Sequence, residues 1–143
     1  MDTQLVPNAV SLLWITILSI QDILYMKISK RMTYAFVISG ALVSLINRTP
    51  TETALSAVPG LILLIICYTT KESLGYGDAI TTVGLGLWVG MRIVCVSLFV
   101  GIGLSLVGSI IYMFIEIKGL SGKKSIPFIP FLMLGQVVSY AGG

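Results

Sequence analysis

Long apolar runs separated by short polar segments set the plan of this chain. The first extends from about Leu5 to Ile20 and ends at Gln21-Asp22. A segment holding Lys27, Lys30 and Arg31 leads into a second run, from about Met32 to Ile46, closed by the polar turn Asn47 to Glu52. The third run covers about Ala54 to Thr69, with Pro59 expected in its first turns, where a missing N–H does least harm. From Ala79 to Ile115 the only charged residue is Arg92. A single helix over that stretch would be about 55 Å long against a hydrocarbon core of roughly 30 Å, so two helices turning at Gly90-Met91-Arg92 are predicted. The first of these is short, and its start is expected in a watered, protein-lined cavity rather than in lipid. The polar segment Glu116 to Ser125 precedes a last run from Ile126 to about Tyr140. The pattern predicts an all-α, polytopic membrane protein of about six transmembrane helices, forming one domain over residues 1–143.

Composition agrees with lipid as the main solvent. Hydrophobic residues make up 56% of the 143 positions and charged residues only 10%, far below the balance of about 25% charged in soluble domains. The net charge of +3 is no nucleic-acid signal, because the basic residues lie in short segments between apolar runs. There is no histidine, which excludes a histidine base or metal ligand, and Cys67 and Cys95 stand apart within apolar sequence, where packing is their expected role. No metal or cofactor is implied. Asp2 stands where a signal peptide carries basic residues, and no small-residue cleavage site follows, so the first run is expected to be retained as a helix. Ser97, Gly101, Ser105 and Ser109 recur at four-residue spacing and predict a small-residue face for close helix packing.

The basic residues also give an orientation. With the segments around 22–31, 71–78 and 116–125 on one side, seven of the nine Lys and Arg residues fall there, leaving Arg48 and Arg92 opposite. The positive-inside bias makes the first side cytoplasmic and puts both chain ends outside.

That assignment brings Asp22 and Asp78 to one membrane face. A carboxylate at the mouth of a membrane helix is expensive and points to function, with a partner to be sought. Two carboxylates sharing one proton are the requirement of aspartic hydrolysis: one takes a proton from the attacking water while the other donates a hydrogen bond to the scissile carbonyl. Asp78 lies in Leu74-Gly75-Tyr76-Gly77-Asp78, where Gly75 and Gly77 would let the backbone turn tightly and approach an extended substrate. The plainer alternatives are a helix cap for Asp78 and an interfacial counter-charge to Lys27 or Arg31 for Asp22. A small transporter or channel subunit, with the two acids as a proton or cation relay, is the non-enzymatic alternative, although no repeated halves are evident.

Gly75-Tyr76-Gly77-Asp78 and the apolar run to Gly90 resemble the Gly-x-Gly-Asp region of type IV prepilin peptidases. Asp22 with Lys27-Ile28-Ser29 is similar to that family's first aspartate segment, and Ile126-Pro127-Phe128-Ile129-Pro130-Phe131-Leu132, with Gly135, resembles its C-terminal Ile-Pro-Phe-x-Pro-Phe motif. The resemblance implies a six-helix intramembrane aspartic endopeptidase of the plasma membrane. Its partners would be the bilayer and prepilin-like substrates, whose short basic leader it removes at the cytoplasmic face, with Asp22 and Asp78 catalytic. A related Gly-x-Gly-Asp peptidase of preflagellin or another signal sequence is the nearest variant. Ile80 stands where the family usually has lysine, Ser29 where proline is frequent, and Ile129 where glycine is frequent. Lacking the cysteine-rich N-terminal segment that long members carry for N-methylation, the chain resembles the short, peptidase-only forms, like those serving Flp/Tad-type pili.

Overall fold

The computed structural model describes residues 5–25, 29–70, 76–117 and 128–142. Among these there are six helices: α1 (Leu5–Tyr25), α2 (Lys30–Asn47), α3 (Pro50–Thr69), α4 (Tyr76–Val89), α5 (Met91–Ile117) and α6 (Ile129–Ala141). The all-helical expectation holds, and the long apolar stretch divides at Gly90, which takes φ +92°, a conformation that side-chain-bearing residues rarely adopt. Three helices, α1, α3 and α5, are long and apolar enough to cross a membrane. By the usual rise per residue, α4 and α6 are only about 20 Å long, too short to cross a core of roughly 30 Å alone. Large exposed side chains such as Phe99, Leu106 and Phe114 cover α5, a surface suited to lipid and not to water.

Helix α4 is the axis of the assembly. It packs against α1, α2, α3 and α5, while α5 and α6 form a close pair and α6 lies along α1. Residues Thr81, Thr82 and Gly84 to Val89 are all buried. Close approach to this helix is made possible by missing side chains. A Cβ on Gly84 would meet the Phe36 ring of α2 at 2.7 Å, one on Gly60 would meet the Val83 backbone nitrogen at 2.5 Å, and one on Gly86 would collide with the Ser56 carbonyl. Trp88 fixes the register against α2: its indole N–H donates to the Phe36 carbonyl (3.0 Å), and the two rings stack at 6.2 Å. Leu85, Trp88 and Val89 then join Ile15, Leu18, Phe36, Val94, Ile129 and Leu132 in one core.

Helix α3 begins earlier than its apolar run. Thr49 accepts from the Glu52 N–H while Glu52 accepts from the Thr49 N–H, a capping box with Pro50 at the first helical position. The polar turn is therefore the first turn of the helix, and Pro59 sits in the interior of α3, not in its first turns as expected. The small-residue face of α5 is used over half its length: Ser97 and Gly101 are buried against Gly135 and Leu132 of α6, whereas Ser109 is exposed.

Gly86→Val should therefore lower thermal stability by about 1–3 kcal/mol, the usual cost of overpacking. Gly103→Ala, which meets nothing within 4 Å, should be neutral or slightly stabilising. Thermal unfolding of the two detergent-solubilised variants checks the contrast.

Candidate active site

The buried stripe of α1 consists of Ser11, Ile15, Leu18, Ser19 and Asp22, spaced so that one helical face turns inward throughout. Asp22 is the last member of that stripe and only 7% exposed. It lies inside the helix, since Ile23, Leu24 and Tyr25 continue α1 beyond the apolar run's apparent end. Its Oδ2 accepts a hydrogen bond from the Ile129 backbone N–H at 3.4 Å. Ile129 is the first residue of α6, and the preceding Phe128 supplies no side-chain cap. Asp22 therefore answers one of the orphan N–H groups that every helix N-terminus carries.

Asp78 is the third residue of α4 and half-buried. It belongs to the stripe Asp78, Thr82, Leu85 and Val89, whose last three members are buried. The neighbouring hydroxyls turn back on the helix: Thr81 Oγ1 donates to the Gly77 carbonyl (2.7 Å) and Thr82 Oγ1 to the Asp78 carbonyl (2.9 Å). Asp22 lies close enough for its charge to act on the Asp78 carboxyl. Cys67, fully buried in α3, is also within electrostatic range of Asp78. Two helix N-termini, those of α4 and α6, thus converge with the end of α1 around a pair of carboxylates. Positive partial charge at both N-termini favours negative charge there, while burial and mutual repulsion oppose having both acids ionised.

Of the two glycines, Gly75 lies outside the described residues. Gly77 is half-buried inside the first turn of α4, so it is helical, and among the described residues only Gly90 has positive φ. Close approach, rather than a tight turn, is the property left to Gly77.

The opposite end of the bundle has different chemistry. Arg48, between α2 and α3, donates from Nη1 to the Leu87 carbonyl and from Nη2 to the Trp88 carbonyl, each at 3.2 Å. Its guanidinium also lies 3.3 Å from where a Gly90 Cβ would be. Arg48 thus closes the last turn of α4, a role its sequence position suggests only as a charge for membrane orientation. A cleft of about 380 Å³ at this end is lined by Asn47, Arg48, Glu52, Leu55, Gly90 and Met91, away from the aspartates.

Two contacts of the site escape reading along the chain. The spacing Ser11, Ile15, Leu18, Asp22 does signal an inward carboxylate, but nothing in the order of residues pairs Asp22 with the backbone of Ile129. The proximity of Cys67 to Asp78 is likewise a product of packing α3 against α4.

Among curated proteins and solved structures, nothing matches the chain. The sequence pattern of the type IV leader peptidase family matches residues 9–115, which include both Asp22 and Asp78 and well over half of the chain. The chain belongs to the type IV leader peptidase family.

Proposed function

We propose that this protein is an intramembrane aspartic endopeptidase that removes the short basic leader of prepilin-like proteins at the cytoplasmic membrane face. The observation that carries the reading is the meeting of Asp22 from α1 and Asp78 from α4 at one end of the bundle, within electrostatic range, in a leader peptidase family. Membership of a peptidase family also favours hydrolysis over a proton or cation relay. In this proposal all six helices lie in the membrane, with the short α4 and the start of α6 enclosed by protein where they do not reach the opposite surface.

The chemistry needs one proton held between two acids. The ionised carboxylate takes a proton from water as the hydroxide oxygen adds to the scissile carbonyl carbon. The protonated carboxyl gives its proton to the carbonyl oxygen, leaving a neutral gem-diol. Collapse reverses these roles: the first acid protonates the departing nitrogen as the C–N bond breaks, and a diol hydroxyl returns its proton to the second. The pair ends with the proton distribution it began with. Gly77, lacking a Cβ beside Asp78, leaves room for the extended leader junction to approach, and Gly75 is assigned the same role. An interior with few water molecules strengthens each of these interactions.

Asp22→Asn and Asp78→Asn should each insert and accumulate normally yet lose cleavage by about two orders of magnitude or more, and combining them should add little. Co-expression of each variant with a pilin-like substrate, reading the leader-removal shift beside a membrane-accumulation control, is the measurement. A helix-capping role for Asp78 predicts the opposite, because asparagine caps about as well as aspartate. Substantial cleavage by either variant would remove the dyad.

Orientation has its own test. Ser121→Cys, in a background lacking Cys67 and Cys95, should resist membrane-impermeant thiol reagent applied to intact cells and react after the membrane is opened. Labelling from outside would reverse the assigned topology.

A further inference from the structure

The two aspartates are held differently. Asp22 is 7% exposed and its Oδ2 is bonded to the Ile129 N–H, whereas the Asp78 carboxyl is half-buried and makes no side-chain hydrogen bond to any described residue. Thr81 and Thr82, the hydroxyls nearest Asp78 in sequence, are committed to backbone carbonyls.

Helix α6 cannot easily swing away from Asp22. Ile129 and Leu132 are fully buried, and Gly135 packs directly on the Ser97 backbone of α5. On the α1 side, Gln136 Nε2 donates to Ser11 Oγ at 2.9 Å, with both residues fully buried. The two helices are therefore joined at Ser11–Gln136 and again at Asp22–Ile129. Over Ile129 to Gln136, α6 carries no ionisable side chain, so what it presents to Asp22 is backbone N–H and the positive end of the helix. The charge facing Asp22 from α4 is that of Asp78, and α3 brings Cys67 toward Asp78. A hydrogen bond donated to a carboxylate oxygen is stronger when that oxygen bears charge.

We propose that the backbone N–H of Ile129 is a positioning group for peptide cleavage: it fixes Asp22 as the ionised, water-activating member of the pair and leaves the proton on Asp78. This assignment rests on the dyad reading above and divides its roles. Asp22 takes the water's proton from a fixed direction through its second oxygen, Oδ1, which bonds to no described residue. Asp78, free of hydrogen bonds to described residues, turns its O–H toward the scissile carbonyl. Residue 129 lies beyond the part of the chain matched by the family pattern, and it is the hydrogen bond to Asp22 that gives it this role.

The test replaces Ile129 by its α-hydroxy analogue through nonsense suppression, turning the amide N–H into an ester oxygen while keeping the side chain. The first N–H of a helix has no intrahelical acceptor, so the exchange removes the Asp22 contact and no helical hydrogen bond donated by that group. The same exchange at Val137, an exposed position inside α6, controls for weakening the helix itself. Ile129→Val, which keeps the N–H, controls for core packing. With purified enzyme and a pilin-like substrate, the Ile129 ester should lower kcat about ten- to a hundredfold, the effect of losing one hydrogen bond to a charged group, with KM within about twofold. The Val137 ester and Ile129→Val should keep kcat within about threefold. An Ile129 ester with near-normal kcat, beside an inactive Asp22→Asn, overturns the positioning role and leaves the dyad standing. Failure of the Ile129 ester to accumulate while the Val137 ester does so makes the contact a folding contact and overturns it too. Cleavage by Asp22→Asn sinks the underlying dyad instead.

Discussion

A short helix enclosed by longer ones is the constraint on which this structure depends. At about 20 Å, α4 cannot expose both its ends to the two surfaces of a bilayer, so its terminal backbone groups need partners from the protein. At the C-terminal end, the Arg48 guanidinium reaches the Leu87 and Trp88 carbonyls. At the N-terminal end, Asp78 in the first turn meets the positive pole of the helix. One helix thus carries a cation at its negative end and an acid at its positive end. The charge of Arg48 at the negative pole adds electrostatics to packing in setting the direction of α4.

The glycines follow from the same constraint. A helix wrapped on several sides must be thin, and Gly84 and Gly86 bring α2 and α3 within backbone distance of α4, with Gly60 on α3 completing the fit. Close contact has a second consequence for chemistry. It buries most of α4 and leaves its half-buried start, where Asp78 stands within range of Asp22, as the end open to water and substrate. The same tight packing of α6 on α5, through Gly135 and Ser97, holds the α6 N-terminus against Asp22. Rigid scaffold and reactive group are parts of one packing solution.

Much of this arrangement is legible in the chain. The apolar runs mark all six helices, because lipid and core both demand long stretches without charge, and Gly90 divides α4 from α5 where length alone requires a break. Alternation of direction, read from the basic residues, puts Asp22 and Asp78 at one end and Arg48 and Gly90 at the other, as the contacts now place them. Boundaries were less legible where polar residues are helical. The capping box at Thr49 and Glu52 starts α3 inside a segment that reads as a turn, which moves Pro59 into the helix interior. Hydropathy alone also does not separate a helix that crosses lipid unaided from one enclosed by protein. It marks six runs, and among the described residues three helices have the length and composition to cross unaided, since burial within protein demands apolar residues as strongly as lipid does.

What could not be read in advance is the part of the site made by backbone. Side chains leave a signature in sequence, and Asp22 and Asp78 stand out because acids are rare in apolar runs. An N–H group is present at nearly every position and leaves none. The Ile129 contact exists because α1 and α6 lie side by side and because Phe128, at the start of α6, supplies no side-chain cap. Had Phe128 been serine or aspartate, a local cap would compete for the first-turn N–H groups and weaken the claim of Asp22 on them. An uncapped helix start beside an inward-facing acid is therefore a pattern in its own right. In a membrane protein, where unanswered backbone groups are costly, it points to the acid that the helix will hold.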